Sequence, residues 1–321
     1  MDHFEVVVSK TEALTPRIRE FVLKRANGAP MPGWAAGAHI DIHLPDVGRR
    51  SYSLIETGSP RAAAEHPTSY RIAVLLESKS QGGSTYMHGL KLGDRLTISP
   101  PANNFPLGTA ASEVVLVAGG IGVTPLLTMA CELSVAKRPF SFYYAGRSRA
   151  ELAFLGEIER IAGANASIHA DDQAGRFFDL DGLMTRLGSD VPLYLCGPLP
   201  MIEAAIALAK RLNWPPGRLH FEIFSAPEEK SGDAGFEVEL RSSGRVYEIP
   251  AGKTILDVLL EAGEDPIHDC KRGDCGICQT AVIEGIPDHR DYILSDSERA
   301  SNKVMQICIS RAKTKRLVLD L

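Results

Sequence analysis

The sequence predicts a multidomain protein: an antiparallel β-barrel, then an α/β domain with a parallel sheet, then a small α+β domain of the β-grasp kind. Three observations carry this. The hydrophobic period changes along the chain, a polar stretch at residues 225–235 sets the last region apart, and four of the six cysteines gather in or pair with one short C-terminal segment. At 321 residues the chain exceeds the length at which one hydrophobic core stops growing, so two or three domains are expected.

In the first region, residues 1–108, short alternating runs at 4–8, 39–44, 70–76 and 95–99 are separated by turn residues, the mark of an antiparallel barrel or sandwich. From about residue 109 to 225 compact apolar strands at 114–118, 140–144 and 193–195 alternate with helix-length amphipathic stretches at 126–135 and 201–212, an α/β pattern. Residues 225–235 hold Pro227, two glutamates and two glycines; they cannot bury a face and are expected to form a linker, with 226–235 outside both neighbours. In the last region, 236–321, two period-two runs at 236–240 and 245–249 flank Ser242, Ser243 and Gly244 as a hairpin. Thr254 then opens a helix over 255–262 with Asp257 placed to return a hydrogen bond, and 279–284 and 316–319 are further strands.

Hydrophobic residues make up 44% and charged residues 23% of the chain, which excludes a disordered or fibrous class. A formal net charge of −5 lacks the basic bias that draws a surface to phosphate backbones or anionic lipid, so neither nucleic acid nor membrane is an expected partner. Residues 1–8 carry acidic residues and no apolar leader, and no run is long enough to span a bilayer; a cytoplasmic location is expected.

Cys270, Cys275 and Cys278 have four and then two residues between them, and Cys308 follows at a distance. This is the spacing of plant-type [2Fe-2S] centres, in which one tight loop wraps two irons with three thiolates and a fourth closes the cage. Gly273 and Gly276 permit the close backbone approach. Structural zinc is the alternative; it usually recruits two short-spaced ligand pairs, whereas Cys308 stands alone. Cys131 lies in an apolar helical run and reads as core. Lys271 and Arg272 beside the first cluster cysteine either face an acidic partner or form a solvated loop.

Two further motifs offer unhindered backbone. Gly119-Gly120-Ile121-Gly122-Val123-Thr124-Pro125 lies between an apolar strand and a helix, where amides and the helix dipole can face a pyrophosphate. It is neither Walker A nor a full G-x-G-x-x-G fingerprint, and a plain strand-to-helix turn is the other reading. Arg50-Ser51-Tyr52-Ser53 supplies a guanidinium for a phosphate and a ring for stacking, and Gly82-Gly83-Ser84-Thr85 precedes a possible short helix at 86–90; both could equally be surface turns.

Together with Cys196-Gly197-Pro198, Asn104 ahead of Phe105-Pro106-Leu107, Phe221-Glu222 ahead of Phe224, and Asp288-His289-Arg290-Asp291, these motifs make the whole chain resemble the phthalate dioxygenase reductase family. The resemblance implies an FMN-binding β-barrel, an NAD-binding domain and a ferredoxin domain. It implies that Arg50, Tyr52, Ser53, Gly83 and Ser84 hold FMN, with Ser53 near the hydride-accepting edge and Phe224 over the ring. It implies that Gly120, Gly122, Thr124 and Pro125 line the NADH site and that Cys196, Gly197 and Pro198 approach the nicotinamide. The implied catalytic set is Ser53, Thr124, Cys196 and Phe224, and the cluster ligands are Cys270, Cys275, Cys278 and Cys308.

Arg147, after the strand at 140–144, could greet a 2′-phosphate, although the resemblance favours NADH. Lys271 departs from the acidic residue often found at its position. A nicotinamide gives two electrons at once and a [2Fe-2S] cluster takes one, so a flavin is needed between them. The implied acceptor is a Rieske-type oxygenase met in a transient complex, the chain itself a monomer. The rivals are a stand-alone flavin reductase or diaphorase for a small acceptor, and a nonenzymatic iron–sulfur redox sensor.

Overall fold

The structure is a computed structural model that describes residues 3–45, 47–109, 113–224 and 233–321. They form two compact units, Met1–Glu222 and Ile223–Leu321. Most of the expected linker, residues 225–232, lies outside the described residues.

The first unit contains two sheets. Strands β1 (Phe4–Ala13), β2 (Ile18–Arg25), β3 (His39–Leu44), β4 (Gly48–Ser53), β5 (Tyr70–Leu75) and β6 (Arg95–Ile98) are antiparallel in the order β4-β3-β6-β1-β2-β5. The two edges of this sheet meet just past β4, where the Ile55 N–H donates to the Arg71 carbonyl on β5 at 2.9 Å, closing a barrel. Val6, Phe21, Leu23, Ile40, Ile42, Leu54, Tyr70 and Ile72 fill it. β2 is absent from the strands read in the sequence because Glu20 interrupts its apolar pattern. Glu20 is buried all the same, compensated by an ion pair with Arg71. Helices α1 (Pro60–Glu65) and α2 (Gly83–Gly89) cross the barrel's loops, α2 starting three residues earlier than the expected 86 because Gly82, at φ +93°, makes the turn into it.

The second sheet is parallel throughout: β7 (Val114–Gly119), β8 (Phe140–Gly146), β9 (Ala166–Ala170), β10 (Leu193–Cys196) and β11 (Leu219–Glu222), ordered β11-β10-β7-β8-β9. All six residues of β7 are buried, as a central strand covered on both faces requires. Helices α3 (Val123–Val135), α4 (Leu155–Ala162), α5 (Asp171–Ala174), α6 (Leu180–Arg186) and α7 (Leu199–Arg211) flank it. α3 starts at Val123 rather than 126 because Pro125 falls in its first turn, where the ring is tolerated.

α3 also joins the sheets to each other. The buried Thr128 hydroxyl donates to the Leu54 carbonyl at 3.2 Å and accepts from the Glu56 N–H at 3.0 Å. Arg71 of the barrel pairs with Glu157 of α4 at 2.6 Å, and Arg160 donates to the Thr57 carbonyl at 2.6 Å.

The second unit is a β-grasp. Strands β12 (Phe236–Leu240), β13 (Val246–Ile249), β14 (Gln279–Glu284), β16 (Val304–Gln306) and β18 (Arg316–Leu319) form a mixed sheet ordered β13-β12-β18-β14-β16, and β15 (Pro287–Asp288) pairs with β17 (Arg311–Ala312). Helix α8 (Ile255–Glu261) packs Ile255, Leu256 and Leu259 onto it, and the expected capping box forms: the Asp257 N–H donates to Thr254 Oγ1 at 3.0 Å and the Thr254 N–H to Asp257 Oδ2 at 3.4 Å. A second box, Ser295 with Glu298, starts α9 (Asp296–Ser301). Among the described residues no helix is long and apolar enough to cross a membrane.

Candidate functional site

In the second unit the loop after α8 carries Cys270, Cys275 and Cys278, and the turn after β16 brings Cys308 to it. The Cys275 and Cys308 thiols donate toward the Cys270 sulfur, which holds Cys270 far below the ordinary thiol range, and Cys278 is lowered by its contact with Cys308. Cys275 and Cys308, as the donors, are raised in turn. The sulfurs thus meet as Cys270 with Cys275 and Cys278 with Cys308, bridged by a Cys270–Cys308 contact. Two thiol pairs suit two irons, and thiolate-rich donor sets without histidine suit iron–sulfur chemistry.

Backbone geometry makes room for this. Lys271, Gly273 and Gly276 have φ of +56°, +81° and +80°, turning the loop so that the Arg272 N–H donates to Cys270 Sγ at 3.3 Å. A Cβ on Gly273 would stand 2.7 Å from Ile309 Cγ2 and 3.1 Å from Asp291 Cα. The Asp288-His289-Arg290-Asp291 motif therefore buttresses the loop: Asp291 is buried, accepting from the Ile293 and Leu294 N–H groups and pairing with Arg299, while Arg290 bridges Asp288 and Asp233. Lys271 pairs with Asp257 of α8 at 3.6 Å. Asp274, which the sequence did not single out, accepts from the Ile223 N–H at 2.9 Å; burial, then the charge of Cys270, pushes its carboxyl up to about 7.

In the first unit the parallel sheet has its switch of strand order between β7 and β10: β8 and β9 extend to one side, β10 and β11 to the other. A crevice outside the carboxyl ends of strands at such a point is where open α/β sheets bind ligands. The two loops that flank it are the glycine loop after β7 and Cys196-Gly197-Pro198 after β10, brought side by side by the Ala118–Cys196 register. They touch backbone to backbone. A Cβ on Gly122 would lie 2.1 Å from the Cys196 carbonyl oxygen, and one on Gly119 would lie 2.6 Å from Pro198 Cδ. Gly120 holds φ +54° with open space around it. Thr124 is buried and its hydroxyl donates to the Ile121 carbonyl at 3.0 Å; Pro125 is buried behind it. Cys196 is fully enclosed, whereas Arg147, just past β8, is exposed.

On the barrel, Arg50, Tyr52 and Ser53 occupy β4, opposite Ile42, Ile40 and His39 of β3. Arg50 folds back over the start of α2: a Cβ on Gly83 would stand 3.0 Å from Arg50 Cγ and Nε, and its guanidinium donates to the Arg49 and Val47 carbonyls. The Ser84 hydroxyl accepts from the Glu77 N–H at 3.1 Å. Tyr52 packs against the barrel core, and burial pushes its phenol up. Phe224, half-buried, belongs to the second unit.

The family model described as the 2Fe-2S iron-sulfur cluster binding domain matches residues 238–313. Vanillate O-demethylase oxidoreductase of Acinetobacter baylyi is 37% identical over 323 residues, covering 100% of both chains. The solved structure of phthalate dioxygenase reductase, described as modular for electron transfer from pyridine nucleotides to [2Fe-2S], superposes with a TM-score of 0.75 at 34% identity, covering 99% of this chain and 98% of that one. The chain belongs to the phthalate dioxygenase reductase family. Another relative, tetrachlorobenzoquinone reductase of Sphingobium chlorophenolicum, is 40% identical over 324 residues, 99% of this chain and 98% of that one.

As a member of the phthalate dioxygenase reductase family the chain is an oxidoreductase, the reductase component of an oxygenase system, with a flavin, a nicotinamide nucleotide and a [2Fe-2S] cluster. The expected fold of the three regions is borne out. Sequence reasoning missed two residues of consequence, Thr128 and Asp274. Neither had a local signal, because their partners lie 74 and 51 residues away.

Proposed function

We propose that this chain takes a hydride from NADH onto FMN and passes electrons singly to a Rieske-type oxygenase, which a monomer meets in a transient complex. Residues 1–108 serve the flavin, 109–225 the nucleotide and 236–321 the cluster, with 226–235 linking them. A bound flavin would supply the conversion between a two-electron donor and a one-electron cluster.

The protein's part is binding and placement. The Arg50 guanidinium, which among the described residues donates to the Val47 and Arg49 carbonyls, would take a flavin phosphate against the amides of Gly83 and Ser84, with Tyr52 against the ring and Ser53 near its reacting edge. Gly120 leaves backbone open to a pyrophosphate at the sheet's switch point and Gly122 lets that loop close onto Cys196, where Thr124 and Pro125 set the helix start and Cys196, Gly197 and Pro198 wall the nicotinamide side. Cys196 acts as a positioning group rather than an acid or base, in keeping with its enclosure. Arg147, exposed just past β8, would be the residue to meet a 2′-phosphate on the adenosine ribose. Phe224 covers the flavin ring. Holding both reactants in register makes hydride transfer effectively unimolecular.

The observation that carries this reading is the convergence of Cys270, Cys275 and Cys278 of one loop with Cys308 as two thiol pairs, in a chain whose parallel sheet also has a switch point. The test is the visible spectrum before and after anaerobic NADH, with the released flavin identified. Bleaching of both chromophores, FMN in the released fraction and two cytochrome c reduced per NADH support it; released FAD, a strong preference for NADPH or no bleaching would overturn it. The relative named as a quinone reductase favours a second reading, direct reduction of a quinone, which a quinone activity that survives loss of the cluster would support.

A further inference from the structure

The second unit begins at Ile223, whose backbone N–H donates to Asp274 Oδ2 at 2.9 Å. Asp274 sits between Cys270 and Cys275, on the loop that supplies three of the four cluster sulfurs. A surface carboxylate kept for solubility would face water. This one is largely withdrawn from it, with the Cys270 thiol against the same carboxyl. The loop that carries it is stiff. Gly273 has φ +81° with Ile309 and Asp291 filling the space a side chain would need, and its carbonyl accepts from the Tyr292 N–H at 3.0 Å. A hydrogen-bond acceptor mounted on so constrained a loop fixes whatever it binds relative to the cysteines. What it binds is the residue next to Phe224.

We propose that Asp274 is a positioning residue for electron transfer, a latch that ties segment 223–224 to the cluster loop so that Phe224 and the four sulfurs keep one spacing. This rests on the reading of Phe224 as the cover of the flavin ring. The latch contributes no electron carrier and no proton; it sets how often the arrangement competent for transfer is populated. Breaking a buried hydrogen bond of this kind shifts such a population by about tenfold.

Three variants of the full, cofactor-loaded chain test it. Asp274→Ala removes the acceptor, Asp274→Asn keeps one, and Ile223→Pro removes the donor while leaving every side chain of the cluster loop in place; β11 ends at Glu222 in the extended conformation that a following proline prefers. NADH-driven reduction of cytochrome c, which draws on the cluster, is expected to fall about tenfold in Asp274→Ala and Ile223→Pro and to stay within about twofold of wild type in Asp274→Asn. Ferricyanide, which takes electrons from the flavin, is reduced at the wild-type rate by all three. Amide hydrogen exchange supplies a readout that needs no turnover: the Ile223 amide exchanges faster in Asp274→Ala and stays protected in Asp274→Asn.

Wild-type cytochrome c reduction in Ile223→Pro, or an Asp274→Asn loss equal to that of Asp274→Ala, would overturn the latch; Ile223→Pro decides even if Asp274→Ala sheds iron. A wild-type chain that NADH cannot reduce would instead sink the function proposed above, and the exchange data would still report on the latch.

Discussion

The cluster loop and the nucleotide crevice are built by opposite means. In the loop, the proposed function resides in four side chains, and the backbone from Cys270 to Cys278 is bent through positive φ at Lys271, Gly273 and Gly276 to bring their sulfurs together. In the crevice, the proposed function resides in the lack of side chains: Gly119, Gly122 and Gly197 let two loops meet at main-chain distance, and any Cβ at Gly122 would fall inside the Cys196 peptide. The first site is defined by what is present and the second by what is missing. They should therefore fail differently, the loop by loss of a ligand with its fold retained, and the crevice by displacement of a strand end.

The largest effect is expected from the loop. Cys275→Ser removes one member of a thiol pair and is expected to abolish cytochrome c reduction, while ferricyanide reduction by the flavin persists; iron and sulfide analysis with the visible spectrum checks it. Retention of a full complement of iron would break the comparison. Next comes Gly122→Ala. A Cβ 2.1 Å from a carbonyl oxygen cannot be relieved by rotating a side chain, so the cost is about 3 kcal/mol or more, seen in thermal unfolding and as a raised KM for NADH. Gly120→Ala sharpens the contrast: its surroundings are open, and only φ +54° resists, at about 1–2 kcal/mol.

How much of this was legible in the sequence follows the same division. Cysteine spacing is written in residue identity, so the four cysteines proposed as cluster ligands could be picked out directly, and the Thr254–Asp257 cap could be read because both partners sit within one turn. The glycine loop was legible as a loop, but its neighbour was not: that Gly122 abuts Cys196 follows from the β7–β10 pairing, which no local pattern encodes. β2 escaped because an inward glutamate reads as polar until its arginine partner, 51 residues away, is known. α4 and β9 are short elements whose apolar faces become readable only against α3 and β8. Thr128 and Asp274 act through backbone atoms of distant segments, and a backbone partner leaves no trace in residue type.

A ligand-binding effect separates binding from fold within the first unit. Among the described residues the Arg50 guanidinium donates to two nearby carbonyls. Arg50→Ala is expected to weaken flavin retention by about 1.5–3 kcal/mol, roughly 10- to 100-fold in Kd, with little change in the melting of the apoprotein. Equilibrium dialysis of flavin and a parallel thermal scan check both halves.

An effect no larger than that of Gly120→Ala is expected at Thr128, and it tests whether the crevice and the barrel are held together by more than apolar packing. Thr128→Val keeps shape and burial but leaves the Glu56 N–H without its acceptor and the Leu54 carbonyl without that donor. The cost is that of unmade buried hydrogen bonds, about 1–2 kcal/mol. In a unit of this size it lowers Tm by about 2–8 °C. Thr128→Ser, which retains the hydroxyl, should recover most of it. Because Thr128 lies in the first unit, melting of the cluster-bearing unit, followed by bleaching of its visible absorbance, should not move. A shift there equal to that of the first unit would show the two units to unfold together, and the division between a side-chain site and a backbone site would no longer be a division between separately stable parts.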